Sequence, residues 1–315
     1  MLALTPAADA PTATTVWVDL VSPSEAERRL IEDHIGMHLP TLDDLAEIER
    51  SSQLVVDGEV LRVSCPAVAE ADTDHPALSH VGMILTPKLL ITMRFAELKA
   101  FEATAERLGH AASACGSVEA FTVLLEAIVD RQADLLERAR QQLDEISHGV
   151  FRASPQQTKT VARSNERLRA MLGRLGRIGE RVTLIRESLL GVGRVAAFAP
   201  EAGKRWIASA FADRLKGVGL DVESLNQFEE HLSGKVQFLL DAIVGFIGIE
   251  QNDIFKLLTV FSVVGIFPTL VAGWYGMNFH NMPEYGWRYG YQFGISVIVL
   301  STVLPLLWFK WRGWW

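Results

Sequence analysis

Along the last quarter of the chain, Asp241, Gly245, Gly248, Asn252, Phe255, Thr259, Ser262, Ile266, Thr269 and Gly273 recur at three- and four-residue steps. At 100° per residue they share a helix face roughly 120° wide. Carboxylate, carboxamide and hydroxyl oxygens stacked along a helix can accept hydrogen bonds from the water around a cation, and small residues between them leave room for that water. The same small residues also suit a close helix-packing seam. Asp241 and Asn252 favour the water-lined reading, because polar groups entering an apolar bundle are usually functional.

The elements that must carry this face are apolar. Leu257 to Trp274 runs without charge, as does Phe293 to Phe309, and only Tyr275 to Gln292 separates them. Each approaches the roughly 20 residues that span a hydrocarbon core, a length that a buried pair in a soluble protein does not need. The pair reads as a transmembrane hairpin in a cell membrane, the inner membrane in a bacterium. Lys256 precedes the first run and Lys310 and Arg312 follow the second, so the positive-inside rule predicts both termini in the cytosol. Trp308, Trp311, Trp314 and Trp315 cluster where an aromatic interface belt is expected. A single helix is predicted from about Val222 to Trp274, with Pro268 its first proline, roughly 80 Å long. Leu225, Phe228, Leu232, Val236, Leu239, Ile243 and Phe246 form an apolar seam along it, which fits helices bundled around a common axis. Two spans cannot enclose a pore, so the pore reading requires a cyclic homo-oligomer.

Upstream, Val16 to Phe95 alternates strand and helix. Val16-Trp17-Val18-Asp19-Leu20 reads as a buried strand, and Ser22-Pro23-Ser24-Glu25 as a capping box opening a helix to about Gly36. Thr41 to Ile48 reads as a short helix, Asp57-Gly58 as a hairpin turn, and Val81 to Leu85 and Leu89 to Met93 as strands. From Leu98 onward helical periodicity dominates, over Val118 to Ile146 and Gln157 to Leu190, joined near Ser154-Pro155. Gly191 to Gly203 reads as a loop, followed by a short helix around Trp206 to Leu215. Arg163 to Arg194 is strongly basic, a solvated face or an anionic-lipid contact.

A 49% hydrophobic composition is too apolar for a soluble chain of net charge -8, and that negative charge offers no footprint for nucleic acid. Cys65 and Cys115 have no C-x-x-C partner, so no disulfide framework or zinc finger is expected. Met1 to Thr15 does not read as a secretory signal. Neither a G-x-x-x-x-G-K-[ST] loop nor H-E-x-x-H or G-x-S-x-G occurs, and an enzyme is not expected. Glu70, Asp72, Asp74 and His75 form an acidic loop, with Asp221, Glu223, Glu229 and Glu230 as further carboxylates; a solvated surface explains either group.

Directly after the first apolar run stands Tyr275-Gly276-Met277-Asn278-Phe279, followed by Met282-Pro283-Glu284. These residues resemble the signature of CorA-type magnesium/cobalt channels. Gly245 to Asn252, Val16 to Leu20 and Asp43 to Glu49 resemble the same family, so the likeness covers nearly the whole chain. It implies an α+β protein with an N-terminal α/β cytosolic domain, a long helical stalk and two C-terminal transmembrane helices, assembled as a homopentameric funnel. The corresponding divisions are 1–110 for the α/β domain, 111–221 for the helical region and 222–253 for the stalk. They continue with 254–275 for the first span, 276–291 for the outer loop, 292–309 for the second span and 310–315 for the cytosolic tail.

Carried onto this sequence, the resemblance makes Gly276, Met277 and Asn278 the selectivity filter. It makes Asp241, Asn252, Phe255, Leu258, Ile266 and Thr269 pore-lining, with Asn278 and Asp241 facing a hydrated ion. Periodicity favours Thr259 over Leu258. The implied cargo is Mg2+, with Co2+ and Ni2+ alongside. The resemblance also implies closure of the pore by cytosolic Mg2+, with Asp72 and Asp74 as candidate regulatory ligands, and no organic cofactor is implied. His280 stands where many relatives have an acidic residue, and Lys310-Trp311-Arg312 carries fewer cations than the usual tail. Two other readings remain: a transporter of the related zinc branch, and a non-conducting two-span scaffold that would have no use for Asp241, Asn252 and Asn278.

Overall fold

The computed structural model describes residues 2–5, 12, 15–41, 44–45, 54–73, 75–110, 116–151, 161–277 and 282–314. Strands β1 (Leu2–Thr5), β2 (Trp17–Val21), β3 (Leu54–Asp57), β4 (Val60–Ala69), β5 (Ala77–Leu85) and β6 (Leu90–Arg94) form one sheet in the order β1-β2-β6-β5-β4-β3. Of these strand pairs only β2 and β6 run parallel; the connection between them carries helix α1 (Glu25–Ile35) and then strands β3 to β5. Alternation along β2 and β6 divides the sheet into two faces. Val18, Leu20, Ile91 and Met93 pack with Ile31 of α1 in one cluster. On the other face Trp17 meets Phe101 of α2 (Lys99–His110), ring centroids 6.1 Å apart.

That second face holds a buried polar network. Arg94 donates to Asp19 from Nε at 3.1 Å and from a terminal nitrogen at 2.9 Å, and its guanidinium lies over the Phe101 ring. Thr92 Oγ1 donates to Asp19 at 2.7 Å and accepts from the Trp17 indole at 2.9 Å. Asp19 and Arg94 are 5% and 7% exposed, so each charge depends on the other to remain in the interior.

Local details of this domain differ from the sequence reading in two places. The capping box is Ser24 with Glu27, not Ser22 with Glu25. Ser22 takes a left-handed φ of 43° and donates its N–H to Arg94, ending β2 instead of opening the helix. β1, an edge strand paired antiparallel to β2, had no turn signal to announce it. Of the helix expected over Thr41 to Ile48, Asp44 and Leu45 are helical, with Thr41 and Asp44 capping each other; the rest lies outside the described residues.

The remaining helices are α3 (Ser117–Phe151), α4 (Val161–Ala202), α5 (Ser209–Tyr275) and α6 (Gly290–Trp311), with a 3-10 turn at Pro283–Gly286. Gly191 to Ala202 is helix, not loop. Gly191 lies in α4 because that is where the helix touches β4: a Cβ there would meet Pro66 Cδ at 2.5 Å. Gly193 and Gly179 admit Val222 and Val236 of α5 at 3.0 and 3.3 Å from where a Cβ would sit. Glycine here is a packing residue whose helix-propensity cost is offset by contact.

α5 is likewise unbroken from Ser209, so no separate short helix precedes it. Part of its apolar seam is covered within the chain: Leu232, Leu239 and Ile243 are 0% exposed, Leu225, Phe228 and Val236 are half-buried, and Phe246 is exposed. A heptad-like run on α4, including Leu175, Ile178, Val182, Ile185 and Leu189, is also fully or nearly fully buried. The chain divides into two compact units, Met1–Ala153 with Ala170–Leu240, and Ser154–Arg169 with Asp241–Trp315.

Candidate functional site

In the second unit, α5 and α6 are both long and apolar enough to cross a membrane, and their apolar stretches are almost wholly unburied. Along the apolar part of α5 the half-buried residues are Lys256, Val260, Val263, Val264, Pro268, Val271 and Tyr275. They lie on one side of the helix, and Val263 shares a groove with Leu304, Pro305, Trp308 and Phe309 of α6. At 100° per residue, Asn252, Phe255, Thr259, Ser262, Ile266, Thr269 and Gly273 centre about 145° from that side. All seven are exposed. The predicted stripe is therefore the face turned away from α6. Leu258, 59% exposed, stands on the flank of the stripe, so both it and Thr259 border the same surface. Asp241 is exposed in line with the stripe, eleven residues, or about 16 Å, before Asn252.

The hydroxyls on this face have a defined polarity. Thr259 Oγ1 donates to the Phe255 carbonyl and Thr269 Oγ1 to the Gly265 carbonyl, each at 2.7 Å. With their hydrogens committed to the helix, these oxygens offer lone pairs outward. Such a surface accepts hydrogen bonds from the water of a hydrated cation.

α5 ends where the glycine of the signature allows it. Gly276 N–H donates to Ala272 at 2.9 Å and Met277 N–H to Trp274 at 3.3 Å. A Cβ on Gly276 would lie 3.1 Å from the Ala272 carbonyl, so this tight closing turn favours a residue without a side chain. The helix presents its last carbonyls, the negative end of its dipole, towards the segment that follows. Asn278 and His280 lie outside the described residues.

The acidic loop proves to be tied down. Asp72 accepts from Lys99 at 2.5 Å, Arg131 at 2.9 Å and Arg138 at 2.6 Å. The Lys99 hydrogen bond, with Arg131 and Arg138 adding charge, holds its carboxyl down at about 2. Arg181 of α4 donates to the Thr73 carbonyl at 3.2 Å. Asp72 thus staples the loop to α2 and α3, and three cations must release it before it can bind a metal. Asp74 lies outside the described residues; Glu70 and His75 are exposed.

Among the stalk carboxylates, Asp221, Glu223 and Glu230 are exposed, whereas Glu229 is buried. Glu229 accepts from Ser233 at 2.7 Å and lies 3.7 Å from Arg186. Sequence reading missed Asp130 on α3, whose carboxyl is pushed up by burial and then by Glu126, Asp134 and Asp221. Asp221 is far away in sequence, and no local pattern brings the two together. Among the described residues, no three His, Cys, Asp or Glu side chains converge to hold a metal ion. The basic helix is partly neutralised within the chain: Arg174 meets Glu145 at 3.2 Å, and Arg186 meets Glu229.

An α/β layer, long antiparallel helices and a terminal hairpin of two exposed apolar helices define a two-span integral membrane protein with a large extramembranous part. Residues 12–311 match the family model described as "CorA-like Mg2+ transporter protein". The magnesium transport protein CorA of Yersinia pseudotuberculosis is 33% identical over 303 residues, 96% of this chain and 92% of its own. That of Escherichia coli K12 is 32% identical over 305 residues, covering 96% and 93%. The complete CorA magnesium transporter structure from Methanocaldococcus jannaschii shares the fold, with a TM-score of 0.76 at 16% identity over 95% of this chain and 91% of that one. The chain belongs to the CorA-like Mg2+ transporter family.

Proposed function

We propose that this chain forms a homopentameric channel through which hydrated Mg2+ enters the cytosol down the membrane potential. The observation that carries the reading is the exposed stripe of α5 on the side turned away from α6. Five such faces directed to a common axis give a wall of acceptors and small residues. Asp241 draws cations to the cytosolic mouth, Asn252 and Thr269 accept hydrogen bonds from the ion's water, and Phe255, Leu258 and Ile266 narrow the path. Gly276, Met277 and Asn278 form the outer filter, where a carboxamide oxygen and backbone carbonyls bind the hydrated ion weakly enough to release it. Mg2+ gives up water reluctantly, so a site that recognises the intact hydration shell permits faster passage than one that must strip it. Co2+ and Ni2+ follow the same path.

A divalent ion crossing 100 mV gains about 4.6 kcal/mol, equivalent to roughly 2,000-fold accumulation. An open pore would overfill the cell, and closure by cytosolic Mg2+ answers that need through tighter binding to the closed state. Asp72, with three cations already on it, serves as an anchor before it serves as a ligand, so the regulatory carboxylates are sought among the exposed stalk residues.

The test is flux into liposomes with an entrapped indicator, for wild type and Asn278→Ala, offering Mg2+ or Zn2+ with and without a pH gradient. Potential-driven Mg2+ entry abolished by Asn278→Ala is the expected result. Zn2+ entry that requires the pH gradient would assign the chain to the zinc branch. No flux of either ion from a folded oligomer would leave a scaffold.

A further inference from the structure

The groove formed by Val263 of α5 with Leu304, Pro305, Trp308 and Phe309 of α6 encloses about 490 Å3 and is lined by apolar side chains throughout. We propose that it holds an acyl chain of an anionic phospholipid, whose phosphate is gripped by Arg312 at its mouth. The inference rests on the membrane placement of α5 and α6 and is independent of ion conduction.

The groove wall continues directly into a cation. The Arg312 guanidinium lies 5.3 Å from the centre of the Trp308 ring, so a lining residue positions the charge. Behind it the tail is folded: Gly313 takes φ 71°, Trp314 N–H donates to the Phe309 carbonyl at 3.1 Å, and the two rings lie 5.3 Å apart. This closure buries Phe309 to 4% exposure and makes it a fixed floor. Pro305 contributes a backbone position without an N–H, so the wall has no donor there to be left unsatisfied. Among the described residues Arg312 is not paired with a carboxylate, in contrast to Lys256, which meets Asp253 at 2.7 Å. A cation without an acidic partner there, beside an apolar slot and at the depth where the span ends, matches a headgroup phosphate above a hydrocarbon tail. Trp311, 82% exposed, is suited to the interfacial layer beside it.

The test is native mass spectrometry of the full chain released from detergent, titrated with phosphatidylglycerol or phosphatidylcholine of the same acyl composition. Phosphatidylglycerol is expected to bind about five-fold more tightly. Arg312→Gln should bring the two lipids to equal affinity, and Leu304→Trp, which fills the slot, should weaken both. Equal retention of the two lipids by the wild type overturns the site. So does a cysteine at 304 that forms disulfides between subunits while resisting a lipid-soluble maleimide, because a second copy then covers the groove. A chain that stays dispersed without detergent would overturn the membrane placement itself, a result distinguishable from loss of lipid preference.

Discussion

Gly191→Ala places one methyl group where α4 meets the sheet, and its effect can be worked from the contacts. A Cβ at 191 lies 2.5 Å from Pro66 Cδ and 3.2 Å from both Pro66 Cγ and Cys65 Cβ. Neither neighbour can swing aside: Pro66 is a ring in β4, paired with His80, and Cys65 is 1% exposed. Reaching an ordinary contact requires helix and strand to part by about 1 Å, and overpacking of this kind costs about 1–3 kcal/mol. Alanine returns about 1 kcal/mol of helix propensity, leaving a net loss of up to about 2 kcal/mol. For a unit of this size that lowers Tm by up to about 4–8 °C. Gly176→Ala in the same helix has nothing within 4 Å and receives the propensity gain alone, about 0.5–1 kcal/mol of stabilisation. Tryptophan fluorescence melts of the full-length protein in one detergent would compare the two. A Gly191→Ala protein melting as high as Gly176→Ala would refute the packing account, because the same propensity gain is present in both variants.

Arg94→Ala should destabilise the α/β domain by about 3–5 kcal/mol, since Asp19 would stay buried with Thr92 as its remaining side-chain donor; Arg94→Met with Asp19→Leu should recover most of that loss in the same melts. Burial pushes the Cys65 thiol up to about 12, so in a Cys115→Ser background a maleimide at pH 8 should react only after denaturation, and prompt labelling of the folded chain would contradict the packing. The lowered carboxyl of Asp72 contributes stability that is present above its unfolded value near 4 and is lost as pH falls towards 2. Discounted for its exposure this is about 1 kcal/mol, so Asp72→Asn should lower Tm modestly at pH 7 and leave it unchanged near pH 2.

What the sequence disclosed depended on whether the information was local. The stripe on α5 lies within one helix, and a 3.6-residue period sufficed to find it. The hairpin at Gly58, the long helix reaching Tyr275 and the second apolar run were legible for the same reason. Gly191 misled because a glycine that loosens a loop and a glycine that admits a neighbouring element look alike until the neighbour is known. The seam through Leu232 and Leu239 showed that α5 buries a face, but not whether the cover comes from the same chain; here α4, through Gly179 and Gly193, lies against its residues Val236 and Val222. Asp72 was read as an acidic loop residue because its three partners stand 27, 59 and 66 residues away. Its meaning is tertiary.

The hydroxyl geometry of Thr259 and Thr269 bears on a second ion, the proton. Relay along a file of water needs groups that receive a hydrogen on one side and hand one on at the other. A threonine whose hydrogen points back at the carbonyl four residues earlier can receive, but it must first break a 2.7 Å bond before it can pass anything on. In the proposed pore, a water column beside this helix face would meet two rungs that do not conduct by hopping. A membrane that stores energy as a proton gradient can carry such a helix with little leak through its side chains.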